Sequence, residues 1–474
     1  MGLRVISMIT TVILARLLNP DDFGVVATAQ IALSTIGLFS GLGMGLAVIQ
    51  SPHDRDKVAY QGFVVSAISG FLFFLVLVMN GPFFANLLKN PDIVSILQWM
   101  SVLVLLAALT TVPESLLQKD MLFGRVSIAI IVSEFTFMGL AVALATTGFG
   151  VWSLVYASIA RGVVNLVMVW VLAPGWAWIT RKPWDGPLMK SLFQFGLQAS
   201  GSAVVSFVYS VLDNFLVTTH LGATALGFYS KAYDFSTRTV DGFINVIGVV
   251  LFPSYSKIQN DRERLSNAYL KSLRVMSFFT VPVALGMFIV AEEMVPVLLG
   301  DKWLPLVAPF QILSFVSLIK PLSGSTGALF ASTGYPEFNL RSGLCITVVM
   351  LGLIFLLLSH GIVGVAYAVL IAHVVGFIVN MYQVHLILPG TARKMLTAIF
   401  PAIAGSVVMT TAVYCSKVPL FHLAGETNTI TTLVVLICIG IVVYCTILYV
   451  SQRELMAEIV GLAWRRFGSK QVQN

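Results

Sequence analysis

Charge is scarce in this sequence. Only 10% of its 474 residues are Asp, Glu, Lys or Arg, far below the roughly one quarter that coats a soluble domain. Cysteine is scarcer still. Cys345, Cys415, Cys438 and Cys445 stand in late apolar stretches without metal or redox spacing, and read as small apolar residues. No Walker-type phosphate loop occurs, so ATP does not drive this chain directly. GLGMG at 41–45 has no strand before it and is no dinucleotide loop. No nucleophile–base constellation and no metal-ligand spacing are found, which argues against an enzyme and against a resident metal or cofactor. The N-terminus lacks a small-residue cleavage site and runs straight into an apolar stretch. What fills the chain is hydrophobicity, 58% by composition with mean hydropathy +0.92. That is the composition of an all-α polytopic membrane protein.

Apolar segments near the ~20 residues needed to cross a bilayer fall at 2–18, 24–48, 58–80, 92–112, 126–147 and 151–173. A Trp- and Pro-containing break at 174–189 separates them from a second set at 190–219, 223–252, 270–291, 304–331, 342–359 and 361–387. Two more segments, 395–415 and 429–450, precede a basic tail at 451–474. The expected architecture is fourteen transmembrane helices. They form an N-terminal six-helix lobe (1–180), a C-terminal six-helix lobe (190–388) and two further helices (395–450). Of 28 basic residues, twenty lie in loops on one side and only Lys89, Lys302 and Lys417 on the other. By the positive-inside rule the N- and C-termini are cytoplasmic. The net charge of +7 thus reflects topology and does not point to nucleic acid. The inner loop 256–274 shows Leu265, Tyr269, Leu270 and Leu273 at helical spacing, suggesting an amphipathic helix against the headgroups or a solvated linker helix. Gly37, Gly41 and Gly45 form a GxxxG repeat that reads as close helix packing.

Five basic residues remain in or at the edge of spans: Arg16, Arg161, Lys231, Arg238 and Lys320. Arg16, at the outer end of the first span, reads as an interfacial snorkelling residue. Four acids accompany them, Glu134, Asp213, Asp234 and Asp241. Lys231, Asp234, Arg238 and Asp241 are spaced three, four and three apart, on one helix face. Such a face avoids lipid and either lines a polar cavity or forms a structural salt-bridge ladder. Glu134 and Arg161 lie at similar depth in adjacent antiparallel spans, which leaves a structural pair and direct substrate contact equally open; Asp213 and Lys231 likewise share a depth, and a second pair is expected there.

Residues 15–29 and 218–232 are similar at an offset of 203: Leu18 with Leu221, Phe23 with Leu226, Gly24 with Gly227. Each copy is the outer turn between the first and second spans of a six-span unit. The two units then enter the membrane from the same side, related by a pseudo-twofold along the membrane normal.

The runs ILARLLNPDDFGVVATAQ (13–30), GLGMGLAVIQ (41–50), LDNFLVTTHLGATALGFYSKAYDF (212–235), FPSYSKIQNDRERLSNAYLKSLR (252–274), GDKWLPLVAPFQIL (300–313) and ASTGYPE (331–337) carry a resemblance. They resemble Wzx-type polysaccharide exporters of the multidrug/oligosaccharidyl-lipid/polysaccharide superfamily, in the branch exporting colanic acid, teichuronic acid and exopolysaccharide. The resemblance implies two six-helix lobes around a cavity in the bacterial cytoplasmic membrane. It also implies movement of an undecaprenyl-pyrophosphate-linked oligosaccharide from the inner to the outer leaflet. A polysaccharide polymerase and export machinery are the expected partners, besides membrane lipids. The family's first helix is longer than the stretch before the NPDD turn, so residues upstream of Met1 are expected.

Such a substrate is a diphosphate with a polar head and an apolar tail. Arg donates bidentately to diphosphate and Lys supplies a point charge. Arg161, Lys231, Arg238 and Lys320 are therefore the expected substrate-cavity cations, with Asn165 and Asn214 adding hydrogen bonds. His373 and Asn380 are lesser candidates, and a lone span histidine is more often a packed residue. Glu134, Asp213, Asp234 and Asp241 are expected to pair with these cations or to carry a coupling proton, Glu134 first. The competing reading is a cation-coupled multidrug antiporter of the same superfamily. A membrane-embedded polymerase or ligase would need a large outer loop, and the outer loops here are short.

Overall fold

The computed structural model describes residues 2–180, 182–424 and 429–451. Among them the chain forms seventeen α-helices and no strand. The first nine are α1 (Gly2–Leu17), α2 (Pro20–Ser40), α3 (Met44–Gln50), α4 (Arg55–Met79), α5 (Gly81–Leu87), α6 (Ile93–Met100), α7 (Val102–Lys119), α8 (Phe123–Thr146) and α9 (Val151–Leu172). After a linker come α10 (Gly186–Leu221), α11 (Ala223–Ile258), α12 (Arg262–Leu298), α13 (Val307–Ser332), α14 (Glu337–Leu357), α15 (Gly361–Ile387), α16 (Thr391–Ala424) and α17 (Thr429–Ser451). Ten stretches among the described residues are long and apolar enough to cross a membrane. Large apolar side chains such as Met79, Leu356 and Val442 are exposed on helix surfaces. That distribution suits lipid as the surrounding solvent and makes this a multi-pass membrane protein.

Two compact units divide the chain. Unit 1 comprises Met1–Lys231, Leu298–Trp303 and Ile354–Val365; unit 2 comprises Ala232–Val297, Leu304–Leu353 and Ala366–Asn474. In unit 1, α8 packs beside α9, α4 beside α7, and α1 against α8. Local sequence starts these helices in familiar ways. Pro20 opens α2, and Asp22 Oδ2 accepts the Asn19 N–H at 2.9 Å. Asp54 caps α4 by accepting the Lys57 N–H at 3.0 Å, which holds its carboxyl below the ordinary value. Cations near helix ends are used as C-caps of neighbouring helices, where carbonyls lack intrahelical donors. Lys119 Nζ donates to Val48 O and Ser51 O at 2.9 and 3.0 Å, and Arg125 Nη1 to Leu172 O at 3.0 Å.

The structure corrects three expectations. The second span is not one helix. It breaks after Ser40, with Leu42 and Gly43 at φ of 44° and 67°, and resumes as α3. Close packing along the GxxxG repeat is confined to Gly45, where a Cβ would lie 3.0 Å from Ser115 Oγ and 3.1 Å from Thr111 Cγ2, whereas Gly37 has no neighbour within 4 Å; a tighter contact is at Gly43, whose missing Cβ would strike the backbone of Gly196 on α10. We expect Gly43→Ala to lower stability by about 1–3 kcal/mol from its left-handed backbone alone, read as a lower melting temperature in detergent. Gly41→Ala is the control, its nearest neighbour being Thr111 Oγ1 at 3.9 Å.

The second correction concerns 256–274, which is no separate surface helix. Its residues belong to the C-terminal end of α11 and the N-terminal end of α12, helices of 36 and 37 residues. At ~1.5 Å per residue these exceed the ~30 Å apolar core of a bilayer. Leu265, Tyr269 and Leu273 are fully buried against Leu322, Phe330, Val384 and Met395 of unit 2, so this apolar face is occupied by protein rather than headgroups. The third concerns Lys417, expected in an outer loop. It lies on α16, which runs on past the apolar stretch, and its ammonium pairs with Glu293 of α12.

Candidate functional site

On unit 1, α8 and α9 bring Glu134 and Arg161 together. Arg161 Nη1 lies 3.1 Å from Glu134 Oε1, and the guanidinium sits 5.2 Å from the centroid of the Phe137 ring. Both partners keep surface, with side-chain exposures of 39% and 23%. One N–H of a five-donor fork is thus engaged in this ion pair. Asn165, one turn further along α9, has a buried Oδ1 without a hydrogen-bond partner.

The second group of unit 1 lies where α10 meets α11. Asp213 is buried, and its Oδ2 accepts the Tyr229 hydroxyl at 2.8 Å. The neighbouring Asn214 Oδ1 is buried without a partner. Lys231 Nζ sits 4.7 Å from the centroid of Phe23, a cation–π contact across to α2. Thr218 of α10 and Thr28 of α2 share a hydrogen bond of 2.9 Å.

Unit 2 holds Lys320 on α13, with its Nζ 5.6 Å from the centroid of Tyr233. Asp234 is half-buried on α11. The side chains of Arg238 and Asp241 lie outside the described residues. The lesser candidates serve packing. His373 Nδ1 is 2.8 Å from Val369 O of its own helix, and Asn380 Oδ1 accepts the Ser342 hydroxyl at 2.7 Å, tying α15 to α14. Arg16 is exposed, and its Nε donates to Leu298 O at 3.1 Å, capping α12.

Sequence reading missed three charged residues inside helices. Glu114 lies on the C-terminal half of α7, beyond the point where the apolar run ended, and accepts from Gln118 Nε2 at 3.1 Å. Glu293 and Lys417 form an ion pair of 2.7 Å, with exposures of 6% and 12%. Helix-terminal extension hides all three from an apolar window; Pro113 and Pro296 inside α7 and α12 reinforce the impression of an ending. Beside that pair, α12, α16 and α17 line a half-open apolar cavity of about 420 Å3, bounded by Pro282, Gly286, Val290, Val413, Leu436 and Tyr444 among others. Among the described residues no group of three or more His, Cys, Asp or Glu is placed to hold a metal ion.

Comparison with known proteins places this architecture. A succinoglycan biosynthesis transport protein of Rhizobium meliloti is 25% identical over 487 aligned positions, spanning 97% of this chain and 92% of that protein. The lipopolysaccharide biosynthesis protein WzxC of Escherichia coli is 22% identical, across 71% of this chain and 68% of that one. Among solved structures, the lipid II flippase MurJ in an inward closed conformation superposes with a TM-score of 0.74 at 15% identity, covering 96% of this chain and 98% of that one. At that identity the likeness establishes the fold alone. The sequence model of the family described as polysaccharide biosynthesis protein matches residues 13–308. With well over half its length matched in this way, the chain belongs to the polysaccharide biosynthesis protein family.

Proposed function

We propose that this protein moves lipid-linked oligosaccharide repeat units from the inner to the outer leaflet of the bacterial cytoplasmic membrane, by alternating access, for surface polysaccharide assembly. The observation that carries the reading is the family match over residues 13–308, in a chain whose full-length relative is named a biosynthesis transport protein. The helices support fourteen crossings when α2 with α3 and α6 with α7 are each counted as one span and α5 as an outer interfacial helix. Lys and Arg in alternate loops then place both termini in the cytoplasm. Arg161, Lys231, Arg238 and Lys320 are assigned to the diphosphate and the sugar-bearing head, with Asn165 and Asn214 as hydrogen-bonding groups. Asp213, Asp234 and Asp241 balance them. The apolar cavity beside α16 and α17 suits a hydrocarbon chain. A polymerase working at the outer face would take up the product.

A cation-coupled drug antiporter would present carboxylates to cationic substrates. Here Glu134 already faces Arg161 and Glu293 faces Lys417, which favours an anionic, lipid-linked cargo. The test is a leaflet assay in a strain lacking the gene and any second exporter. Lipid-linked oligosaccharide should accumulate on the cytoplasmic face and be relieved by the intact gene. Normal surface polysaccharide in that strain would overturn the proposal and leave the antiporter as the better reading.

A further inference from the structure

Positions related by the repeat offset of 203 touch each other in space. Pro20, Asp21 and Gly24 open α2; their equivalents Ala223, Thr224 and Gly227 open α11. Gly24 lies so close to Ala223 that any Cβ would overlap the Ala223 carbonyl, and Gly227 stands in the same relation to Pro20. Each would-be Cβ also lies 3.1–3.2 Å from the other glycine's amide nitrogen. Exchanging the two repeats maps this contact onto itself. Thr224 Oγ1 donates to Asp21 Oδ1 at 2.7 Å within the same clasp.

Further contacts close around it. Phe23 and Phe228 both pack edge-on against the fully buried Trp303, at 5.5 and 5.8 Å. Trp303 Nε1 donates to Ala15 O at 2.9 Å and Lys302 Nζ to Arg16 O at 3.0 Å, capping α1. Directly inward of the clasp lies the Thr28–Thr218 pair, with both residues buried.

We infer that the reciprocal Gly24–Gly227 contact is the outer seal of the transport pathway, and that it parts to release cargo on the outer side. This rests on the transport reading above. The chemistry suits a seal that opens repeatedly. Its centre is backbone against backbone, so no side chains interdigitate and no rotamers must change. Parting gives up the Thr224–Asp21 and Thr28–Thr218 hydrogen bonds and the Lys231–Phe23 contact, and the two halves of the clasp are repeat-equivalent, so they part as a symmetric pair.

The test uses the full chain with its four cysteines replaced. Thr218→Cys places a reporter beneath the clasp, and a membrane-impermeant maleimide is applied to right-side-out membrane vesicles. With both glycines intact, labelling should be slow. In a Gly24→Ala or Gly227→Ala background it should rise at least tenfold, because the added methyl cannot be accommodated when closed. Unchanged labelling in normally inserted protein would overturn the inference. Should either variant fail to accumulate, Asp21→Cys with Thr224→Cys supplies a second test. Oxidative cross-linking of that pair should stop lipid-linked oligosaccharide transfer and a thiol reductant should restore it; full transfer by cross-linked protein would overturn the seal. Labelling needs no substrate, so a seal that opens in a protein without flippase activity would fault the functional reading alone.

Discussion

Arg161→Ala is expected to abolish polysaccharide export while leaving the protein inserted in the membrane. The guanidinium is partly exposed and shares one N–H with Glu134, so the rest of its fork is open to a diphosphate. Losing a charge-assisted hydrogen bond of that kind costs about 1.5–3 kcal/mol, roughly ten- to a hundredfold in affinity. Arg161→Lys keeps the charge without the bidentate geometry and should fall between the two. A second role competes with this one, because Arg161 could serve only to neutralise Glu134. The double variant Glu134→Gln/Arg161→Gln separates them. Under substrate contact it stays inactive, since the cation is gone; under structural pairing it regains export, since no carboxylate is left uncompensated. Surface polysaccharide and membrane protein level, measured in the same strains, decide the matter.

Much of this arrangement could be read before any coordinates, and for physical reasons. A bilayer forces nearly every backbone group into helices, so hydropathy alone gives the class. Equal depth in adjacent antiparallel spans put Glu134 opposite Arg161, and those atoms lie 3.1 Å apart. The weak similarity at offset 203 marked Gly24 and Gly227 as equivalent, but nothing in the sequence said that the equivalents touch. Conversely, an amphipathic pattern such as Leu265–Tyr269–Leu273 states that a face is buried without stating against what. Membrane surface and protein core give the same periodicity, and here the core of unit 2 takes it. The break at Leu42–Gly43 was hidden for a related reason. Glycines four apart invite a packing interpretation, whereas the positive φ at Gly43 and the approach to Gly196 depend on a helix more than 150 residues away. Asp213 illustrates the same limit. Its burial followed from its place in a span, but the Tyr229 hydroxyl that it accepts had no signature.

The largest stability effect is expected from Lys417→Met. Glu293 and Lys417 are 124 residues apart in sequence, yet the ammonium reaches both carboxylate oxygens, at 2.7 and 3.0 Å, with little exposure on either side. Removing one member of a buried pair strands the other charge, a loss of about 3–5 kcal/mol. The reverse change, Glu293→Gln, should cost a comparable amount by stranding the ammonium. The double variant Glu293→Gln/Lys417→Met should recover most of the stability, because no unpaired ion remains. Thermal unfolding of the three purified variants in detergent gives the coupling energy directly. Additive losses in the double variant would show that the contact contributes nothing beyond its parts. The pair also has a position that bears on transport. It lies where α12 meets α16, next to Val290, Met294 and Val413, which line the 420 Å3 apolar cavity.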